Sequence, residues 1–220
     1  MAQILIFLGP PGAGKGTQAR VVARELGIPH ISTGDILREA ARKKTGLGLA
    51  AKAKMDKGEL VPDEVICPIV EERLSRPDCR QGAILDGFPR TIAQAKFLDG
   101  MLERLGFGES LVLNIQVATE SVIKRLTGRR TCQTCGEIYN IYINPPRQCG
   151  VCDKDGGNLT QRADDNEDAI RIRLKAYEQD TLPLTDYYQS KDSLRQVDGS
   201  GEPEAITERL LSLLKTHDYL

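Results

Sequence analysis

Apolar residues fall in two rhythms along this chain. Residues 3–8 and 110–117 are nearly continuous apolar runs, shorter runs occur around Ile28 and Ile31 and at 82–85, and residues 194–199 read as a short strand and turn. Continuous rather than alternating runs predict strands buried on both faces, as in a parallel sheet. Between them, apolar positions recur at helical spacing in 18–26, 62–74, 91–105, 120–126 and 203–214, which predicts helices. Strand and helix in alternation imply an α/β fold, a five-stranded parallel sheet flanked by helices. Two stretches depart from this rhythm. Residues 36–61 are small and polar-rich, and read as two short amphipathic helices punctuated by Gly46, Gly48 and Gly58. Residues 128–165 have no α/β alternation at all.

Composition narrows the class. At 220 residues the chain is long enough for one large domain, or a core carrying small insertions. Its net charge of −1 implies no general affinity for nucleic acid or anionic membrane. No apolar run approaches the length of a membrane span. Met1, Ala2 and Gln3 lead straight into a strand without a basic start, so no signal peptide is expected and the expected compartment is cytoplasmic. The six cysteines are too few for a disulfide scaffold.

The chemistry is concentrated in residues 9–17, Gly-Pro-Pro-Gly-Ala-Gly-Lys-Gly-Thr. Gly9, Gly14 and Lys15 satisfy the phosphate-loop spacing, between a predicted strand and a predicted helix, which is the context that pattern requires. Inward-facing N–H groups, a helix N-terminus and a mobile Lys15 charge would together hold phosphates. The usual Ser or Thr after the lysine, whose hydroxyl holds Mg²⁺, is absent. Gly16 stands there, followed by Thr17. Either Thr17 substitutes, or the metal is held through phosphates and water. Asp86 closes the apolar run 82–85 and is the expected Mg²⁺ partner, directly or through water. His30, within an apolar run, is expected at a strand end rather than in catalysis; His217 is expected to be solvated.

Residues 128–165 contain two C-x-x-C pairs, Cys132 with Cys135 and Cys149 with Cys152. Four thiolates would close a tetrahedral structural site, by availability for Zn²⁺, although iron or cobalt suits the same ligands. Such an ion would hold together a segment with little core of its own. Cys67 and Cys79 lack partner spacing and read as small buried hydrophobes. A zinc ribbon can also bind nucleic acid, but here Arg129, Arg130, Arg147, Lys154 and Arg162 are matched by Glu137, Asp153, Asp155, Asp164 and Asp165, and a nucleic-acid patch should be basic. The arginines cluster instead at the two ends. Arg125, Arg129, Arg130, Arg162, Arg171 and Arg173 are therefore expected to converge over the phosphate loop, where a planar fork suits a phosphoryl group.

Residues 9–18 (GPPGAGKGTQ), 31–35 (ISTGD), 85–91 (LDGFPRT) and 127–130 (TGRR), in this order and spacing, resemble adenylate kinase in its long form with a zinc-bearing lid. The resemblance covers essentially the whole chain, and Gly16 after the lysine is a feature of that family. It implies the P-loop NTPase type of fold with two small mobile insertions. Residues 32–61 would be the AMP-binding domain and 128–165 the lid, on a core formed by 1–31, 62–127 and 166–220. It further implies Mg²⁺-dependent phosphoryl transfer from ATP to AMP, giving two ADP. Gly12, Ala13, Gly14, Lys15, Gly16 and Thr17 would hold the ATP phosphates, and Arg125, Arg129, Ile138, Tyr139 and Gly201 match further ATP contacts. Thr33, Arg38, Glu59, Leu60, Val61, Gly87, Phe88, Pro89, Arg90 and Gln94 match the AMP positions. Arg162 and Arg173 match the clamp on both nucleotides, and Lys15, Arg90 and Arg129 are the other expected catalytic cations. The expected partners are ATP, AMP and ADP, with no nucleic acid or membrane, and the expected state is a monomer. A kinase for UMP, CMP or GMP is the nearest alternative, and a nucleotide-regulated zinc module a more distant one.

Overall fold

Successive residues of the central strand enter opposite cores. In the computed structural model, which describes residues 3–217, β1 (Gln3–Leu8) sends Ile4, Ile6 and Leu8 to one side and Leu5 and Phe7 to the other. Its neighbours β3 (Gly82–Asp86) and β4 (Leu111–Gln116) do the same. With β2 (His30–Ser32) and β8 (Leu194–Asp198) they form one parallel sheet in the order β2-β3-β1-β4-β8. This is the five-stranded α/β sheet that the apolar runs predict.

Each face is covered by helices whose apolar stripes point inward. α4 (Asp63–Leu74), α5 (Ile92–Leu105) and α8 (Leu184–Gln189) supply Val70, Leu98, Met101 and Tyr188 to one core. α1 (Lys15–Leu26) and α9 (Pro203–Thr216) supply Val22, Leu210 and Leu214 to the other. Burying each such Leu or Ile contributes about 2 kcal/mol relative to exposure, so both faces must be covered for the sheet to persist.

The glycines at 46 and 48 do not interrupt a helix as expected. α2 (Thr33–Arg42) and α3 (Gly46–Met55) flank a short turn, and Thr45 caps α3 by accepting from the Gly48 N–H at 3.0 Å. A Cβ on Gly48 would lie 2.2 Å from the Ala40 carbonyl carbon. Gly48 is thus where the two helices touch. α6 (Thr119–Thr127) follows β4 and leads into a second, antiparallel sheet, β5 (Arg129–Cys132), β6 (Ile138–Asn140) and β7 (Leu159–Thr160), in the order β6-β5-β7. Between this sheet and α8 lie α7 (Glu167–Ala176) and a π-helical turn, Tyr177–Thr181, to which the sequence reading assigned no element.

The strand order reverses at β1, with β3 and β2 on one side and β4 and β8 on the other. In open parallel sheets ligands sit beyond the strand C-termini at such a reversal. Ser32 and Phe7 both pair in register with Asp86, and Leu8 with Asn114, so the loops leaving β1, β2 and β3 emerge side by side there.

Candidate active site

The helix that follows β1 starts inside the glycine loop. α1 begins at Lys15, and Gly14 before it adopts a left-handed conformation, φ 93°. The free N–H groups of that first turn therefore face the loop's hollow, as anion binding requires. Lys15 lies back along the loop, donating to the Gly9 and Pro10 carbonyls at 2.7 and 2.9 Å. Burial pushes its pKa down to about 8; Asp86 opposes this, while Arg90, Arg173 and Arg129 add to it.

Asp86 ends β3 against this helix start. A Cβ on Gly16 would approach its Oδ2 to 3.1 Å, so a Ser or Thr at 16 would crowd the carboxylate. That contact gives a physical reason for the departure from the common motif. Burial alone would raise the Asp86 pKa, but His30 and Lys15 outweigh it and hold the carboxyl below its ordinary value. The His30 Nε2 lies 3.4 Å from Asp86 Oδ2, outside hydrogen-bond geometry. His30 is at the start of β2, the strand-end position expected of it. His217 is not simply solvated: it accepts from Arg195 Nε at 3.0 Å.

Two acidic residues that the sequence reading counted only as charge organise the arginines. Arg129 forms a two-pronged pair with Asp165, at 2.8 and 2.6 Å, and the Asp165 side chain is fully buried. Arg173 bridges Asp164 at 2.9 Å and Asp165 at 3.3 Å. Arg162 donates to Thr131 at 3.3 Å, and among the described residues its nearest carboxylate is that of Asp35, at 4.0 Å. Burial, then Arg129 and Arg38, lower its pKa to about 9; burial likewise brings Arg173 to about 10 and lowers that of Arg90. A buried set of cations depressed in this way is short of negative charge. Arg125 fastens the turn after β8 by donating to the Gly199 carbonyl at 3.1 Å.

Two expected arginines are not part of this set. Arg130 turns back onto the Thr127 and Arg129 carbonyls, because it alternates with Arg129 along β5, and Arg171 is exposed on α7, two residues from Arg173.

The opposite wall is built from α2 and the loop after β3. The Thr33 hydroxyl donates to the Gly87 carbonyl at 3.0 Å. Arg90 Nε donates to the same carbonyl at 2.9 Å, and its backbone N–H to Gln94 Oε1 at 2.7 Å. Gln94 Nε2 then donates to Asp63 at 2.6 Å, which fixes which way the amide faces. Arg38 pairs with Asp35 at 2.7 Å. Burial alone would raise the Asp35 pKa, but Arg38, Arg162 and Arg20 bring it down to about 2.

These walls enclose one cavity of about 290 Å³. Gly12 to Thr17, Arg125, Arg129, Ile138, Tyr139 and Gly201 line it, as do Thr33, Arg38, Glu59, Leu60, Val61, Gly87, Arg90 and Gln94. Asp86, Arg162 and Arg173 line it too. Phe88 is not on the wall; it is buried in the core beneath. Pro89 lines a smaller hollow beside Lys15, Arg90 and Tyr177. Arg20, Asp35, Asp164, Asn144 and Ile206 are lining residues that the sequence reading missed. The acidic pair 164–165, one residue beyond Arg162, was the available signal.

The cysteine-bearing sheet corrects the expected ligand set. Among the described residues, Cys132, Cys135, Cys152 and Asp155 bring one donor atom each within 4.8 Å of the others, and Cys149, which is exposed, is not among them. The turn decides this. The Cys132 N–H donates to the Glu137 carbonyl at 2.8 Å, and the Gly136 N–H to the Cys132 carbonyl at 3.1 Å. Residues 152–157 repeat the pattern, Cys152 to Gly157 at 2.8 Å and Gly156 to Cys152 at 2.9 Å. Gly136 and Gly156 both take left-handed φ, 74° and 71°. Each knuckle is thus ligand-x-x-ligand-Gly, and only Cys152 to Asp155 has the glycine in that place. Three thiolates and a carboxylate in two matched turns fit a closed tetrahedral ion.

A family model described as adenylate kinase matches residues 7–193. An adenylate kinase of Archaeoglobus fulgidus is 54% identical over 96% of this chain and 97% of its own length. One of Thermodesulfovibrio yellowstonii is 52% identical over 96% and 98%. One of Bacillus velezensis is 50% identical over 96% and 97%.

Proposed function

Because the chain belongs to the adenylate kinase family, we propose that its own cavity carries that family's reaction, ATP plus AMP to two ADP, with the roles below. An oxygen of the AMP phosphate bonds to the γ-phosphorus as the bond to the β-bridging oxygen breaks, and the displaced ADP leaves. Such a transfer needs positioning and charge neutralisation more than a covalent nucleophile. The observation that carries the reading is the buried cation set, Lys15, Arg90, Arg129, Arg162 and Arg173, around one cavity with too few anions to match it.

In this reading the 12–17 loop holds the ATP β- and γ-phosphates on its N–H groups. Lys15 leaves the Gly9 and Pro10 carbonyls and follows the transferred group. Arg129 and Arg173, oriented by Asp164 and Asp165, and Arg162 close over the equatorial oxygens. Arg90 and Arg38 take the AMP phosphate, and Gln94, whose amide is fixed by Asp63, meets the AMP base. Ile138 and Tyr139 cover ATP, and Gly201 offers backbone beside its adenine. Phe88 and Pro89 shape the AMP loop from beneath.

Mg²⁺ fits beside Asp86, where Gly16 leaves the carboxylate uncrowded, and supplies neutralisation of phosphate charge when bound. Cys132, Cys135, Cys152 and Asp155 would hold Zn²⁺ as a structural ion in the lid. Residues 32–61 act as the AMP-binding domain and 128–165 as the lid, moving on the core of 1–31, 62–127 and 166–220 to exclude water during transfer. The cavity is lined by parts of one chain, which supports a monomer acting on small nucleotides; a cytoplasmic location, with no role for nucleic acid, is proposed with it. Among the described residues, no helix is long and apolar enough to cross a membrane.

A coupled assay of ADP formation from ATP and each nucleoside monophosphate, with Mg²⁺, tests this. Turnover is expected with AMP well above UMP, CMP and GMP; preference for another acceptor would reassign the substrate.

A further inference from the structure

Arg20 lies on α1, five residues beyond Lys15, and neither of its partners belongs to the core. Its Nη1 donates to the Gly136 carbonyl at 2.8 Å, and its Nη2 to Asp35 Oδ2 at 3.4 Å. Gly136 follows the ligand Cys135, and its position is set by the knuckle's own hydrogen bond to the Cys132 carbonyl. Asp35 sits in the first turn of α2, and Arg38 already holds it from below at 2.7 Å.

We infer that Arg20 is a positioning residue that ties the lid and the AMP-binding domain to the phosphate-loop helix when the three are together. The inference rests on the proposed division into core, AMP-binding domain and lid. A surface ion pair between neighbours on one element would carry little. This guanidinium instead joins two segments that are remote from each other in sequence, and one of its acceptors is a backbone carbonyl in a constrained turn. A planar fork spreads its donors over two nitrogens and can span acceptors on separate segments, whereas an ammonium's three donors share one nitrogen and reach only acceptors close together. Arg20 is a third exposed, so its share is modest. It biases the closed arrangement and takes no part in transfer.

If so, losing Arg20 lowers the fraction of protein already closed, and apparent affinity falls by that fraction for both nucleotides. Turnover does not fall, because opening to release product is the step such a tie slows. The experiment uses the full, metal-loaded chain with Arg20→Gln and Arg20→Lys. Solution X-ray scattering of the nucleotide-free protein reads closure, and steady-state kinetics reads KM against kcat. A larger radius of gyration for Arg20→Gln is expected, converging with the unmutated protein at saturating ADP. KM for ATP and for AMP should both rise, by about two- to fivefold, with kcat unchanged or higher and Arg20→Lys intermediate. An unchanged radius, a fall in kcat at constant KM, or a rise in KM for one nucleotide alone would overturn the inference. Should Arg20→Gln not fold, Arg20→Lys carries the same comparison. No turnover in the unmutated chain would count against the proposed function only, since the scattering needs no activity.

Discussion

The two sheets of this molecule are held in different ways. The five-stranded sheet is buried on both faces, between α1 and α9 on one side and α4, α5 and α8 on the other. The three-stranded sheet and its knuckles form a small core of Cys132, Tyr139, Cys152 and Leu159, and two of those four are among the candidate ion ligands. Stability in the first is spread over many apolar contacts, so no single polar position decides it. In the second, on the proposed reading, it would be concentrated in four donor atoms and two turns. The active cavity lies between them, with cations supplied by both: Lys15 and Arg90 from the first, Arg129 and Arg162 from beside the second.

The largest effect should come where the charge is concentrated. Lys15→Ala should lower kcat/KM by roughly 10²–10³-fold, the scale of losing one preorganised donor to a developing charge. Its melting temperature should hold, because burying Lys15 is itself unfavourable. A coupled assay with calorimetry checks both, and wild-type-like turnover would remove the phosphate loop from the mechanism. Next, Leu85→Ala, at a fully buried position on β3, should destabilise the core by about 3 kcal/mol through lost contact and a residual cavity, read by urea denaturation.

The small sheet should respond to ligands instead. Asp155→Ala should weaken binding of the lid ion at least ~10-fold, since even outer-shell partners cost that much. Cys149→Ser should leave metal content and melting temperature unchanged. Metal analysis of the two purified variants separates the Cys₃Asp site from a Cys₄ site, and ion loss in Cys149→Ser would restore the latter.

The smallest effect concerns Asp35, where the two regions meet. Its folded pKa, about 2, is below its ordinary 3.8, so the unfolded chain binds more protons between these values. Its contribution is therefore present above pH 3.8 and is lost as pH falls toward 2. Because the side chain is 44% exposed, solvent screening leaves about 1 kcal/mol or less. Acid denaturation should show that loss in the unmutated protein and a flatter profile in Asp35→Asn; equal profiles would dismiss the contribution.

The core was readable because a strand buried on both faces has to be apolar at every position, and helices on a sheet have to repeat every three to four residues. Lys15 and Asp86 were readable because they stand at the ends of such elements, whereas Arg90 came only from the resemblance carried by residues 85–91. Arg130 was misplaced, and Asp164 and Asp165 were overlooked, because adjacent residues on a strand point opposite ways and because a buried acid looks like a surface one in a charge count. No element was read in residues 166–193, although α7 and the π-helical turn place Arg173 and Thr181, whose hydroxyl donates to the Arg90 carbonyl at 2.8 Å.

The linear chain by itself determined the parallel sheet, the phosphate loop and the presence of a thiolate knuckle, since each follows from local spacing and from which residues tolerate burial. Tertiary structure alone decided three matters. It put Asp155 rather than Cys149 beside the other ligands, because a donor's direction depends on the left-handed glycine that closes its turn. It made Gly16 intelligible, because the atom a side chain would meet belongs to Asp86, seventy residues away. It also brought Arg20 between Gly136 and Asp35, a meeting of three distant segments that no local pattern encodes.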